Sequence, residues 1–340
     1  HHLFDAADGT FSSRLSGRET FELRRWLRGI EGGRMGRTRG LKPRIEDLVA
    51  EDKATMAALE AILEQATMLP ASGWQRRIED GFPQGETEAF LYLVHQQVVA
   101  GARPNDGYDL ETLPRPCVKG LLSVAVGLGR ALSRLADAMA AFERCINQIL
   151  NDVGSDLESG KRSRLEAVFQ SLRRRRLELI LPWQAMLESL GFEQPETLID
   201  RFAIERSGGR EMDVGMCRNW VDPMIPFAES IFHPADGVLI TSATLRDSTG
   251  DSEEDWSVAE KRVGAHHLLG SPAVRVAVPS PFDHSAATRV MVVNDIDRND
   301  TDQVAGAMLE LFVAAGGGAL GLFTAIWRLR RVEARLTPAL

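Results

Sequence analysis

Between Leu128 and Ile149 the apolar residues fall at Leu128, Leu132, Leu135, Met139, Phe142, Ile146 and Ile149, in steps of 4, 3, 4, 3, 4 and 3. A repeat averaging 3.5 residues keeps one stripe of a helix turned toward a neighbour along its whole length, so this stretch must fold as a long helix with another laid against it. The neighbour follows in the chain. Leu165, Val168, Leu172, Leu179, Trp183, Leu187 and Leu190 form a second seam, in which Pro182 lacks an amide hydrogen and is expected to kink or split the helix. The polar residues 151–160 join the two, and an antiparallel helical hairpin is the simplest arrangement. The role expected of these apolar side chains is core packing.

The surrounding sequence, residues 1–225, reads as almost entirely helical. Residues 19–28 carry Phe21, Leu23, Trp26 and Leu27 at helical spacing. Residues 32–44 hold Arg34, Arg37, Arg39, Lys42 and Arg44 with no acid, and their glycines favour a basic loop. Leu48, Met56, Leu59, Leu63 and Ala66 mark an amphipathic helix ended by Pro70 and Gly73. Phe90, Leu93, Val94 and Val98 mark another inside the turn-rich residues 82–108.

The pattern changes after Pro223. Residues 237–240 (Gly-Val-Leu-Ile) run into Thr241, Ser242, Ala243, Thr244 and Leu245, which reads as a buried parallel strand with small hydroxyl residues at its end. Residues 246–256 are polar and acidic and read as a linker. Further strands are expected at Val274, Val276 and Val278, at 289–294 and at 319–323. Helices are expected at 301–315, capped by Gly316, and at 326–336. Alternating strands and helices imply right-handed βαβ units and a parallel sheet, whose ligands sit beyond the strand carboxyl ends, here residues 241–244 and Thr324. The fold class is therefore α/β with a large helical insertion.

Composition removes several alternatives. With 44% hydrophobic and 26% charged residues over 340 positions, the chain is globular, with length for about two domains. Its three cysteines, Cys117, Cys145 and Cys217, form no CxxC pair. That excludes a disulfide-stapled framework, argues against a zinc or iron–sulfur centre made by this chain alone, and suits a reducing cytoplasmic setting. A net charge of −8 leaves no overall basic field for nucleic acid. Of the 40 basic residues 35 are arginine, which genomic base composition explains before phosphate recognition does. Locally, the basic loop and the run Arg173, Arg174, Arg175 and Arg176 are candidate phosphate contacts. Four consecutive helical positions span most of a turn, however, and cannot all face one ligand. Residues 303–327 carry only Glu310 as a charge, but Gly316, Gly317 and Gly318 interrupt them, so helix, turn and strand explain them better than a membrane span.

No complete catalytic motif stands out. Gly160-Lys161-Arg162 has the wrong spacing from Gly154 and lacks the Ser or Thr that would hold magnesium in a phosphate loop. The pairs His1-His2 and His266-His267 have no helical metal-ligand spacing, and the second reads as turn material. The residues alone thus describe a helical assembly followed by a catalytically incomplete α/β part.

Four segments add a resemblance. Residues 1–28, beginning His-His-Leu-Phe-Asp-Ala-Ala-Asp, resemble the segment at and after motif II of DinG-type helicases, relatives of the XPD helicase within superfamily 2. His1 corresponds to the His that ends the motif II box. Residues 236–245, Asp-Gly-Val-Leu-Ile-Thr-Ser-Ala-Thr-Leu, resemble motif III, and Ser280-Pro281-Phe282-Asp283 resembles a family element of the same letters. Residues 318–331 resemble the start of the second motor domain, with Ala325 and Ile326 departing from the family's Leu-Phe-Thr-Ser-Tyr. The resemblance implies parts of two RecA-like motor domains: residues 1–30 after motif II, a helical arch-like insertion at 31–222, the end of the first motor domain at 223–247, and the start of the second at 248–340. Both ends look cut, as for a piece of a longer protein.

The activity this likeness implies is that of an ATP- and magnesium-dependent DNA helicase of repair, which moves on single-stranded or forked DNA as a monomer, with no membrane partner. His1, Ser242 and Thr244 would couple nucleotide state to DNA handling, exchanging hydrogen bonds as an interdomain cleft closes. Arg34, Arg37, Arg39, Arg173, Arg174 and Thr324 would contact nucleic acid. In many relatives four cysteines ahead of motif II hold a 4Fe-4S cluster; the three cysteines here do not match them and are expected to be buried apolar residues. The alternative is a non-enzymatic helical interaction protein or a single-stranded-DNA-binding module using the arginine-rich stretches.

Overall fold

A computed structural model describes residues 2–29, 40–101, 109–152, 158–193, 195–247, 249–270 and 272–338. The chain divides into two compact units, His1–Val274 and Arg275–Leu340. The division falls inside the stretch 248–340 that the sequence reading assigns to a second motor domain.

The first unit runs through α1 (His2–Phe11), β1 (Ser13–Ser16), α2 (Gly17–Arg28), α3 (Lys42–Val49), α4 (Lys53–Gln65), α5 (Trp74–Glu79), α6 (Gly85–Gly101), β2 (Leu110–Thr112), α7 (Leu121–Asn151), α8 (Ser159–Arg175), α9 (Leu181–Ser189), β3 (Leu198–Ser207), β4 (Arg210–Trp220), α10 (Met224–Phe227) and α11 (Ser252–Arg262). The first seam lies on α7, with Leu128 through Ile146 buried and Ile149 packed at the edge. α7 packs against α4, α6, α8 and α9. The second seam faces it: Leu165, Val168, Leu172, Trp183, Leu187 and Leu190 are buried. At about 1.5–3 kcal/mol for each large apolar side chain removed from water, this double seam is a main source of the unit's stability.

Pro182 interrupts the second helix without ending it. The backbone stays helical from α8 through a π turn at Arg176–Ile180 into α9, and Pro182 follows that turn. The wider turn accommodates the extra residue in the seam, which steps by 4 and 4 from Leu179 to Trp183 to Leu187, so Trp183 stays on the buried face. The Trp183 Nε1–H donates to the Arg14 carbonyl at 2.6 Å, tying α9 to β1.

The sheet corrects the reading of residues 1–225 as almost entirely helical. Four antiparallel strands lie in the order β1-β4-β3-β2, built on the β3–β4 hairpin. Its alternation is Phe202 and Ile204 against Met216 and Val214, diluted by Asp200 and Asp213, which are buried polar residues on the strands. The tip, Gly208-Gly209, has positive φ at both residues, the turn chemistry of a tight hairpin. Gly215 is required where β4 meets β1, because a Cβ there would lie 2.4 Å from the Leu15 carbonyl oxygen.

Two boundaries also differ from expectation. The amphipathic helix marked from Leu48 is two helices, because Asp52 caps α4 through the amides of Ala54 (2.9 Å) and Thr55 (3.2 Å). The expected acidic linker at 246–256 contains the start of α11, capped by Asp251 through Glu253 and Glu254 at 3.0 and 3.1 Å. Buried Asp255 accepts from the Thr249 hydroxyl at 2.6 Å.

The second unit contains α12 (His284–Ala287), α13 (Thr301–Ala314) and α14 (Ile326–Leu336). Ala305, Val332 and Leu336 pack with Val304, Met308, Leu309, Phe312 and Phe323, and the Arg335 Nε donates to Asp302 at 2.7 Å. Both long helices fall where the sequence puts them, and Gly316 closes α13 with φ +69. The four expected parallel strands do not form: residues 237–240, 274–278, 289–294 and 319–323 have no strand pairing, with Leu239 90%, Val290 85% and Leu320 81% exposed. A parallel strand takes both its ladder and its burial from neighbouring strands, so an apolar run without them stays extended and open. The fold is mixed α/β, but its sheet is antiparallel and comes from the stretch read as helical.

Candidate nucleotide and nucleic-acid interface

After α10 the chain passes through the segment that carries Ser242 and Thr244. The Ser242 Oγ accepts the Thr244 amide at 3.2 Å and lies 3.5 Å from the Thr244 Oγ1. This is a local serine turn, which orders the end of the apolar run without help from another element. Residues 241–244 are all exposed, so the enclosure expected of a nucleotide cleft is not present around them in this unit. His1, Arg34, Arg37 and Arg39 lie outside the described residues. Thr324 is exposed in the second unit, two residues before α14. The N-cap of α14 is Ala325, with extended backbone (φ −144, ψ 131) and no side chain to bind the free amides.

The arginine run resolves into two pairs. Arg175 stacks its guanidinium 4.1 Å from the Trp26 ring centre, and Arg44 approaches the same ring at 5.7 Å. Burial, followed by the charges of Arg174 and Arg44, lowers Arg175 from its ordinary value. Arg176 forks onto Glu143 of α7, with Nε to Oε1 and Nη2 to Oε2 both at 2.8 Å. Glu143 is only 7% exposed, and that hydrogen bond holds Arg176 charged above its ordinary range. Arg173 and Arg174 point to solvent and border an open hollow of about 570 Å³ with Gln170, Ser171 and Leu177. Arg174 has Glu178 at 4.0 Å, one turn on. Of the run, Arg173 and Arg174 are thus the pair left open to solvent.

A second arginine group was not singled out from sequence. Arg24, Arg25 and Arg28 of α2 line a hollow of about 210 Å³ with Phe21, Ala71 and Ser72. Arg24 Nη1 donates to the carbonyls of Thr67 and Leu69, both at 2.7 Å, and of Ala66 at 3.3 Å. It thereby satisfies carbonyls at the end of the α4 region, a structural task suited to a cation at a helix C-terminus.

Acidic groups cluster where β1 passes into α2. Ser16 caps α2 through the Glu19 amide at 3.3 Å, and Asp213 Oδ1 accepts the Arg18 and Val214 amides at 2.9 Å each. Arg14 pairs with Glu205 and lies 4.0 Å from Asp213. Glu19 is pushed up to about 7, chiefly by burial; Asp213 and Glu205 add to the shift and Arg14 opposes it. Perturbed acids are frequent in active sites, but these bonds serve the strand–helix junction. Two further buried pairs are also structural. Arg218 forks onto Asp200 at 2.7 Å twice, and Arg77 forks onto Glu88 at 2.8 and 2.5 Å.

Cys217 is buried, whereas Cys117 and Cys145 are half-buried, which corrects the expectation that all three are buried; all three thiols are free. Burial pushes the Cys117 and Cys217 thiols up, away from the thiolate form needed by a nucleophile or metal ligand.

His266 and His267 do lie in a turn, Ala265–His267, as expected. What the sequence does not reveal is their neighbour Asp222, 44 residues earlier than His266, whose Oδ2 lies 2.7 Å from the His267 Nε2 and 3.5 Å from the His266 Nε2. No local spacing could have linked them.

No protein-family model matches this chain, and no curated protein matches it.

Proposed function

We infer that this chain belongs to a DinG-type motor of superfamily 2, an ATP-dependent helicase that travels on single-stranded DNA and separates duplexes in DNA repair. The observation that carries the reading is the order of four short motifs along one chain: the His-led segment at the start, the Ser242–Thr244 element, Ser280-Pro281-Phe282-Asp283, and the segment through Thr324. The geometry supports it at three points. A long helical hairpin, α7 with α8 and α9, forms a stable body between the first two motifs, as an arch insertion would. Ser242 and Thr244 present ordered, exposed hydroxyls at the end of an apolar run. The extended runs at 237–240, 289–294 and 319–323 have the β-branched, apolar make-up of strands from a parallel RecA-like sheet, in which further strands would bury them.

In this reading Ser242 and Thr244 relay nucleotide state to the DNA path through hydroxyl bonds that can exchange. Arg173 and Arg174 hold the backbone of single-stranded or forked DNA by charge. ATP and magnesium would be held by a phosphate-loop lysine and a motif II Asp–Glu pair, which do not occur in these 340 residues. The reading also includes a cytoplasmic, monomeric motor, with any 4Fe-4S cluster held by cysteines ahead of motif II.

The test is phosphate release with single-stranded DNA present. The 340-residue chain is expected to release none. The product of the whole reading frame that contains it is expected to hydrolyse ATP in a DNA-dependent way. Turnover by the 340 residues alone, or none by the whole product, overturns the proposal.

A further inference from the structure

We propose that Asp222, His266 and His267 bind a divalent transition-metal ion of the zinc class, which clips the end of the β-hairpin to the turn after α11. The proposal is independent of the helicase reading. One ring nitrogen of each imidazole and a carboxylate oxygen lie within 4.8 Å of one another. Two imidazoles and one carboxylate are a donor set for zinc and its neighbours; magnesium and calcium take oxygen. Three protein ligands leave one position of a tetrahedral ion open to water.

The fold prepares this arrangement. Asp222 Oδ1 accepts the Met224 amide at 2.9 Å, which fixes the carboxylate and turns Oδ2 toward the imidazoles. Such a bond to the far oxygen is the outer-shell support that metal-binding carboxylates use. Gly264 (φ +73) brings the histidine turn onto Met224, since a Cβ there would lie 2.9 Å from the Met224 side chain. The turn is held in place from a third side, where His233 Nε2 bonds the His267 carbonyl at 3.0 Å. The two imidazole rings are 3.7 Å apart between centres. Two cationic residues share a hollow with Asp222 and His266: Arg262, which is paired with Asp247 at 2.8 Å, and Lys261. Lys261 opposes a bound cation, so its removal should tighten binding.

Cobalt(II) is the probe, because a tetrahedral site gives it strong visible absorption. The whole chain is titrated in a His1→Ala, His2→Ala background, which removes the only other adjacent histidine pair. One equivalent of cobalt is expected to bind with tetrahedral absorption, and zinc is expected to displace it. His266→Ala is the decisive variant, because His266 is at the 3.5 Å end of the cluster and partly open to solvent, so the turn can fold without it. It should weaken binding by at least about 100-fold, the upper end of what loss of even an outer-shell partner costs. Asp222→Asn should do the same, and Lys261→Met should strengthen binding. No tetrahedral cobalt signal, or a signal unchanged by His266→Ala in protein whose circular dichroism matches the parent, overturns the proposal.

Discussion

The four-arginine run that ends α8 and opens the π turn is testable residue by residue. Arg176 is forked onto Glu143, which is 7% exposed. Removing one partner of a buried pair strands the other charge, at a cost of about 3–5 kcal/mol. Arg176 keeps some exposure, with 19% of its side chain open, so we take the lower end and expect Arg176→Ala to cost about 3 kcal/mol. Arg173 and Arg174 are exposed, and replacing both with alanine should change stability by less than about 0.5 kcal/mol. DNA binding should respond the other way. If each of the two contacts one phosphate of a single strand, losing both should lower the slope of log K against log salt by about 1.4, at about 0.7 per phosphate. Urea unfolding followed by circular dichroism measures the first quantity, and fluorescence anisotropy of a labelled oligothymidine across a salt series measures the second. A double variant that keeps the parent's salt slope, or that loses as much stability as Arg176→Ala, refutes the division of the run into binding and structural pairs.

Other consequences follow from the same contacts. Ala325→Ser puts a capping oxygen at the bare N-cap of α14 and should stabilise the second unit by about 1 kcal/mol, read as a rise in its thermal midpoint. Gly215→Ala drives a Cβ against the Leu15 carbonyl, and since backbone cannot step aside as a side chain can, β1 should separate from β4, read as rapid hydrogen exchange at the amides of β1. Glu19 is raised from 4.5 to about 7, so the folded state holds its proton more tightly than the unfolded chain. The resulting stability is full below pH 4.5 and is lost as pH climbs through about 7. Glu19→Gln should flatten that decline, and a urea midpoint with the parent's pH profile would show that Glu19 is not its source.

Much of the helical architecture was legible because it rests on period. The seam from Leu128 to Ile149 has no spatial solution other than a long paired helix, and α7 is that helix. The same holds for α13, where an Asp300 cap and a glycine stop agree with the apolar pattern, and for α14, which its apolar period marks without either. The β3–β4 hairpin is not legible in the sequence because its buried positions include charged residues. Asp200 and Asp213 are buried with Arg218 and the backbone amides of Arg18 and Val214 satisfying them, and Arg218 and Arg18 lie 18 and 195 residues from the acids they serve. The runs at 237–240 and 289–294 failed in the opposite sense. Their composition suits a strand, but pairing depends on neighbours that local composition cannot provide. At the candidate site, the sequence could say that four consecutive arginines do not share one ligand. Which two face outward depended on Trp26 and Glu143, more than 140 and about 30 residues away.

The central claim is that Ser242 and Thr244 couple ATP hydrolysis to movement on DNA. Its most direct test is a paired measurement on the product of the whole reading frame, comparing DNA-stimulated ATP hydrolysis with separation of a forked duplex in the parent and in the Ser242→Ala, Thr244→Ala variant. The account predicts that hydrolysis largely persists while strand separation falls by about tenfold or more, equivalent to about 1.4 kcal/mol or more of lost coupling. Strand separation that matches the parent's at equal hydrolysis would contradict it.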